Sequence, residues 1–159
     1  MKVSLNEDWK KDRIASAHLG ENPMVIAKMR SGFAVIGDTQ FLPGYCVLLP
    51  FVNVNTLNDL DVKQRTEYLL DMSIIGDAIQ EVCEPRRINY SIYGNTDVFL
   101  HAHIFPRYEW EPEERIPKPV WQYSEDKWRD SKYHFSAEEH GELKEKLTIK
   151  INDLINRIY

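Results

Sequence analysis

Apolar positions along the chain change period several times, and each change marks an element. In "SGFAVIGD" (31–38), Phe33, Val35 and Ile36 predict a strand that runs into a turn. Pro43-Gly44 then supplies hairpin turn chemistry ahead of "YCVLLPF" (45–51), a run apolar enough for a buried strand. From residue 60 to 83 the spacing lengthens to helical steps. Val62, Leu69, Met72, Ile75, Ile79 and Val82 share one face, which predicts a long helix closed by Pro85. Two more strands follow, 87–94 and 98–107, predicted as an antiparallel hairpin joined by a tight turn at Gly94-Asn95-Thr96-Asp97.

The helical period returns after Ser136. Leu143, Leu147, Ile151, Leu154 and Ile158 form one stripe, and Ser136 with Glu139 has the form of a capping box. That stripe is expected to cover the body of the protein or a second subunit; its polar face is not basic enough for a membrane surface. Residues 1–30 are charged and mixed, an irregular or short-helical lead-in. Three prolines and several acids in "EWEPEERIPKPVWQY" make the stretch after Pro106 a long ordered loop or a lid. The sum is an α+β fold in a single domain over 1–159: an antiparallel sheet of about five strands, a long helix on one face and a C-terminal helix.

Composition narrows the partners rather than the fold. With 43% apolar and 28% charged residues in 159, the chain has the make-up of a soluble globular domain. A net charge of −5 argues against a nucleic-acid polymer as partner, yet leaves room for a small phosphorylated ligand held by backbone N–H groups. Cys46 and Cys83 have no metal-binding spacing, which fits a reduced compartment. Asn6, Glu7 and Asp8 interrupt any signal core, and the longest apolar run is too short to span a bilayer, so a cytoplasmic location is expected.

One strand carries chemistry. In "VFLHAHIFPR" (98–107), Val98, Leu100, Ala102 and Ile104 alternate with Phe99, His101, His103 and Phe105. The first row is the expected core face, and both imidazoles project from the other, within ~7 Å of each other. Three readings are open. The pair can be hydrogen-bonded surface histidines. It can be half of a zinc site, although His18, His134 and His140 show no spacing that completes one. Or a neutral imidazole can act as nucleophile beside a second that donates to a phosphoryl oxygen. The adjacent Gly94-Asn95-Thr96 turn, rich in donors, favours phosphoryl chemistry.

At this point the sequence resembles the histidine triad (HIT) superfamily of nucleotide hydrolases and nucleotidyl transferases. "FLHAHIFPR" matches the second and third histidines of the signature and the apolar pair and Pro-Arg after them; "INYSIYGN" and "LPGYCVLLP" are similar to segments that precede it. The match spans residues 31–108 in order. The resemblance implies that His101 attacks an α-phosphorus, forming a nucleotidyl-histidine, and that His103 bonds the phosphoryl oxygens or the departing group. It implies phosphate contacts from Asn89, Asn95 and Thr96, and a ribose contact at Gly37 or Asp38, of which only Asp38 has a carboxylate. Phe33 and Ile36 become candidates for the base. Arg107 is either a polyphosphate contact or a structural partner, and Trp110 and Trp121 either cover the pocket or anchor their loop.

Two positions depart from the pattern. Phe99 replaces the first histidine, though its backbone carbonyl can still orient the ring of His101. Tyr45 stands where a histidine often follows Pro-Gly; the resemblance implies a phosphate contact there, which the tyrosine can make through its hydroxyl but without positive charge. The expected function is hydrolysis of nucleoside polyphosphates, of the diadenosine polyphosphate type. Alternatives are a transferase or phosphorylase using the same intermediate, a nucleotide-binding module with little turnover, or a metal-binding domain. No cofactor is required for that chemistry, although a divalent cation can accompany the polyphosphate. The resemblance also implies a homodimer.

Overall fold

The computed structural model describes residues 7–159. The expectation about a signal core rests partly on residues 1–6, which lie outside the described ones. Five strands form one antiparallel sheet: β1 (Val25–Lys28), β2 (Gly32–Ile36), β3 (Cys46–Pro50), β4 (Arg87–Ser91) and β5 (Ala102–Arg107), in the spatial order β1-β2-β3-β5-β4. The lead-in does contain a short helix, α1 (Arg13–His18), capped by the Asp12 carboxylate. It also contains β1, an edge strand not foreseen in the mixed 1–30 segment.

Two long helices, α2 (Val62–Cys83) and α4 (Ala137–Ile158), cover one face, with α2 against β3, β4 and β5 and α4 against α2 and β1. The buried sector of α2 is rotated from the expected stripe. Met72, Ile75 and Ile79 are buried as anticipated, but Val62 is 76% exposed and Leu69 44%, while Tyr68, Ile74 and Ala78 are enclosed. The reason is tertiary: α2 touches both the sheet and α4, so two sides of the helix need small or apolar surface. Glu84 adopts a left-handed conformation (φ 49°) at the helix end, just before Pro85, whose ring disfavours continued helix. On α4, Leu147, Ile151 and Leu154 of the predicted stripe are buried against the body, while Ile158 is exposed. Buried Asp71 of α2 ties the layers together, accepting from the Ser31 backbone N–H at 2.8 Å and from the hydroxyls of Ser31 and Tyr159.

The opposite face carries a smaller cluster of Leu42, Tyr45, Phe105, Tyr108 and Val120. Val120 belongs to the Pro-rich stretch, which folds into single turns and a four-residue helix, α3 (Asp126–Arg129). This stretch is fastened to the end of β2. The Gln40 N–H donates to the Tyr133 carbonyl, the Phe135 N–H to Asp38, and the Thr39 hydroxyl to Lys127. Among the described residues no helix is long and apolar enough to cross a membrane.

Candidate functional site

The alternation on β5 delivers its side chains as expected only from residue 100 onward. Leu100, Ala102 and Ile104 are buried beneath the helices, but Val98 is 59% exposed. Residues 98–101 leave the sheet because the Leu100 N–H donates to the Val54 carbonyl in a loop, at 2.7 Å, instead of to a strand. For the same reason β4 and β5 are joined by a ten-residue loop, 92–101, rather than by a tight turn at 94–97.

His103 is inside the strand, where it pairs with Val47 of β3 and Ser91 of β4; Val47 in turn pairs with Val35 of β2. These registers put Val35, Val47, His103 and Ser91 in one row across four strands. A cavity of about 650 Å³ opens over the first three of these. Its apolar floor is Val35, Val47 and Leu49; its rim includes Asp38, Asn95 and Thr96; His101, His103 and Phe99 form one side, and Trp121 with Trp128 another. Of the proposed base contacts, Ile36 lines the cavity, whereas Phe33 packs edge-on against His18 and Phe51.

The two imidazoles are 4.8 Å apart, centre to centre, at 76°. His101 donates from Nδ1 to the Phe99 carbonyl at 2.8 Å, because a carbonyl can only accept. Its Nε2 therefore carries the lone pair. Phe99 thus supplies through its backbone what its side chain lacks, and its ring lies 4.7 Å from that of His101. His103 Nδ1 is 2.6 Å from the Tyr45 hydroxyl. Burial first, and then the neighbouring His101, push the His103 pKa down to about 3, so this ring is neutral at physiological pH. Burial and the Asp38 charge hold the Tyr45 phenol well above its ordinary value, so it keeps its proton.

Local sequence makes room for this pair. Gly44, at φ +104°, closes the turn before Tyr45 in a conformation that side chains resist. At Gly37 a Cβ would sit 2.2 Å from the Tyr45 ring, so only glycine allows that ring to lie where it does. Phe105 stacks on the other side of it, 3.8 Å away and nearly parallel.

Asp38 reaches the cavity as expected, but it is held: Arg13 donates to both carboxylate oxygens, at 3.0 and 2.7 Å. Arg13 lies over the ring of Trp9 and, among the described residues, is the one Lys or Arg lining the cavity. Nothing in the mixed lead-in signalled it. Trp128 was also missed, and it stacks on Trp121 at 5.7 Å. Trp121 itself packs edge-on to His103 at 4.8 Å, whereas Trp110 stacks on Tyr108 away from the cavity.

Asn89 lies elsewhere than the resemblance implies. It does not line the cavity; its side-chain oxygen accepts from Arg107 Nη1 at 3.1 Å. Arg107 is buried and structural rather than a polyphosphate contact. It forms a forked pair with Glu111, at 3.0–3.1 Å, and donates to the carbonyls of Lys118 and Arg115. Glu111 also accepts from the Tyr108 N–H and the Tyr123 hydroxyl. Among the described residues, no group of three or more His, Cys, Asp or Glu side chains is arranged to hold a metal ion.

No protein-family model matches the chain, and no curated protein does. Solved structures do. A histidine triad protein from Bradyrhizobium japonicum superposes with a TM-score of 0.69 at 22% identity, over 85% of this chain and 95% of its own. A histidine triad protein from Marinobacter aquaeolei VT8 gives 0.69 at 21% identity, over 87% and 95%. The diadenosine triphosphate hydrolase of Plasmodium falciparum gives 0.58 at 17% identity, over 82% and 77%. The order of strands and the two helices on one face are those of this fold.

Proposed function

We propose that this chain, built on the histidine triad fold, is a nucleotide hydrolase that cleaves at the α-phosphate of nucleoside polyphosphates, with diadenosine polyphosphates as the substrate class. The observation that carries the reading is the His101–Phe99 bond. It leaves Nε2 of a strand-end imidazole free as a nucleophile, over a cavity of nucleotide size.

The nucleoside lies across β2 and β3, its base on Val35, Val47 and Leu49 and its ribose hydroxyls on Asp38. That places the α-phosphate over His101. Nε2 attacks phosphorus as the bond to the leaving phosphate oxygen breaks and its electron pair departs with that oxygen. The positive charge that develops on His101 is stabilised by its Nδ1–H bond to the Phe99 carbonyl. His103, Asn95 and Thr96 donate to the phosphoryl oxygens or the leaving oxygen. Water then attacks phosphorus as the P–N bond breaks; the electron pair returns to Nε2, the water gives up a proton to solvent, and the mononucleotide leaves with the imidazole restored. The steps use no cofactor, and a divalent cation can travel with the polyphosphate. A homodimer with one site per subunit and a cytoplasmic location, where nucleotides are plentiful, belong to the same reading.

The test is chemical. The protein is incubated with diadenosine tri- or tetraphosphate, quenched in alkali and analysed by peptide mass spectrometry. An adenylyl group on His101 is expected, together with loss of turnover in His101→Ala. Unchanged turnover in that variant sinks the covalent mechanism; tight nucleotide binding without turnover on any polyphosphate assigns a binding module instead.

A further inference from the structure

We propose that Tyr45 is a positioning residue that acts through His103: its hydroxyl donates to Nδ1 and so fixes the proton of that ring on Nε2. The two histidines of one His-x-His then hold opposite tautomers. His101 gives its Nδ1 proton to a carbonyl and offers a lone pair at Nε2, whereas His103 receives at Nδ1 and offers a proton at Nε2. One residue type thereby provides an attacking atom and a donor side by side.

The direction of the Tyr45–His103 bond follows from what surrounds the phenol. Tyr45 is buried, with Phe105 stacked on one face and the Gly37 backbone against its edge. Among the described residues its hydroxyl has a single hydrogen-bond partner, His103 Nδ1. Were Nδ1 to donate instead, the phenolic proton would be buried with no acceptor, an arrangement proteins avoid. The phenol stays protonated at neutral pH, and His103 stays uncharged, so the arrangement persists across the working range. A tyrosine thus does here what a charged partner could not do without also raising the pKa of His103. It directs the proton while leaving the ring neutral.

The role in turnover rests on the hydrolase reading, but the tautomer does not, and the experiment separates them. Long-range 1H–15N spectra of the 15N-histidine-labelled, ligand-free protein at neutral pH report which ring nitrogen is protonated. The expected result is a protonated Nε2 on His103 and a protonated Nδ1 on His101. A protonated Nδ1 on His103 overturns the proposal whatever the enzyme does. Tyr45→Phe keeps the stacked ring and removes only the hydroxyl. In it the His103 signals are expected to move toward an average of both tautomers while those of His101 stay fixed. A Tyr45→Phe spectrum with His103 still held as Nε2–H also overturns the proposal. On diadenosine tetraphosphate, Tyr45→Phe is expected to lower kcat by about tenfold or more, the scale of a misplaced proton donor, with KM within about twofold. Unaltered kcat in Tyr45→Phe removes the positioning role from catalysis. If the parent turns over no nucleotide, the hydrolase reading fails while the spectra still decide the tautomer.

Discussion

Arg13 and Asp38 meet in a two-pronged ion pair at the mouth of the cavity, 25 residues apart in sequence. The arginine is the first residue of α1 and the aspartate follows β2 by two positions. Each carboxylate oxygen keeps a lone pair after accepting from Arg13, so the pair can accept two further hydrogen bonds, which the proposed reading assigns to ribose hydroxyls. Replacing Asp38 by Asn or Arg13 by Met is expected to raise KM for a ribonucleotide substrate by about tenfold, roughly 1.4 kcal/mol. The 2′,3′-dideoxy analogue should be affected much less. Equal losses on both substrates would show that the pair supports the fold and not the ribose.

His103 gives a pH prediction with a defined sign. Its folded pKa is lowered to about 3, whereas an unfolded imidazole protonates near 6.5. Between those values the unfolded chain binds the extra proton, so stability rises with pH through this window and levels off above it. Chemical denaturation from pH 4 to 8 should show this slope, and His103→Gln should flatten it by up to about one proton. In the folded parent, NMR titration should find no protonation of His103 between pH 5 and 8.

Trp121 shields that ring. Removing the indole in Trp121→Ala admits water to His103, and since burial is the main cause of its lowered pKa, the value should move up toward the ordinary range. The measurement is the same NMR titration. An unmoved His103 would mean that the strands alone keep it dry.

Restoring an imidazole at position 99 should do little. The Phe99 backbone carbonyl already fixes the His101 ring, so Phe99→His is expected to change the rate of adduct formation on His101 by less than about threefold. A gain of a hundredfold would mean that the side chain, and not the carbonyl, had been the missing part.

Arg107→Met leaves the Glu111 carboxylate buried without its cation. A broken buried pair costs about 3–5 kcal/mol, which corresponds to a fall in Tm of roughly 10 °C. Thermal unfolding followed by circular dichroism measures it. Because Arg107 also holds the carbonyls of residues 115 and 118, the tryptophan wall should loosen first, visible as a change in indole fluorescence before global unfolding.

Much of this architecture was legible because it follows local periods. The β2–β3 hairpin, α2, α4 and the opposition of core and histidine rows on β5 all come from spacings of two or of three to four. What escaped depends on distant contacts. β1 is four residues among charged neighbours and becomes a strand only by pairing with β2. Val98 continues the alternation in sequence, yet the Leu100–Val54 bond lifts that segment off the sheet. Asn89 occupies a matching place in the resemblance, but Arg107 claims its oxygen. Arg13 and Trp128 reach the cavity from opposite ends of the chain, and no short pattern could announce either.

The Leu100–Val54 bond carries a consequence of its own. His101 sits one residue beyond it and one residue before β5 begins, so its backbone is anchored on one side by a loop and on the other by the sheet. The His101 ring is therefore positioned by the length of a stretch, 51–56, that does not line the cavity. Inserting or deleting a single residue between Phe51 and Thr56 is expected to shift that anchor by a peptide unit and turn the His101 ring away from His103 while leaving the strands intact. The orientation of His101, in this protein, is a matter of counting residues in a loop outside the cavity.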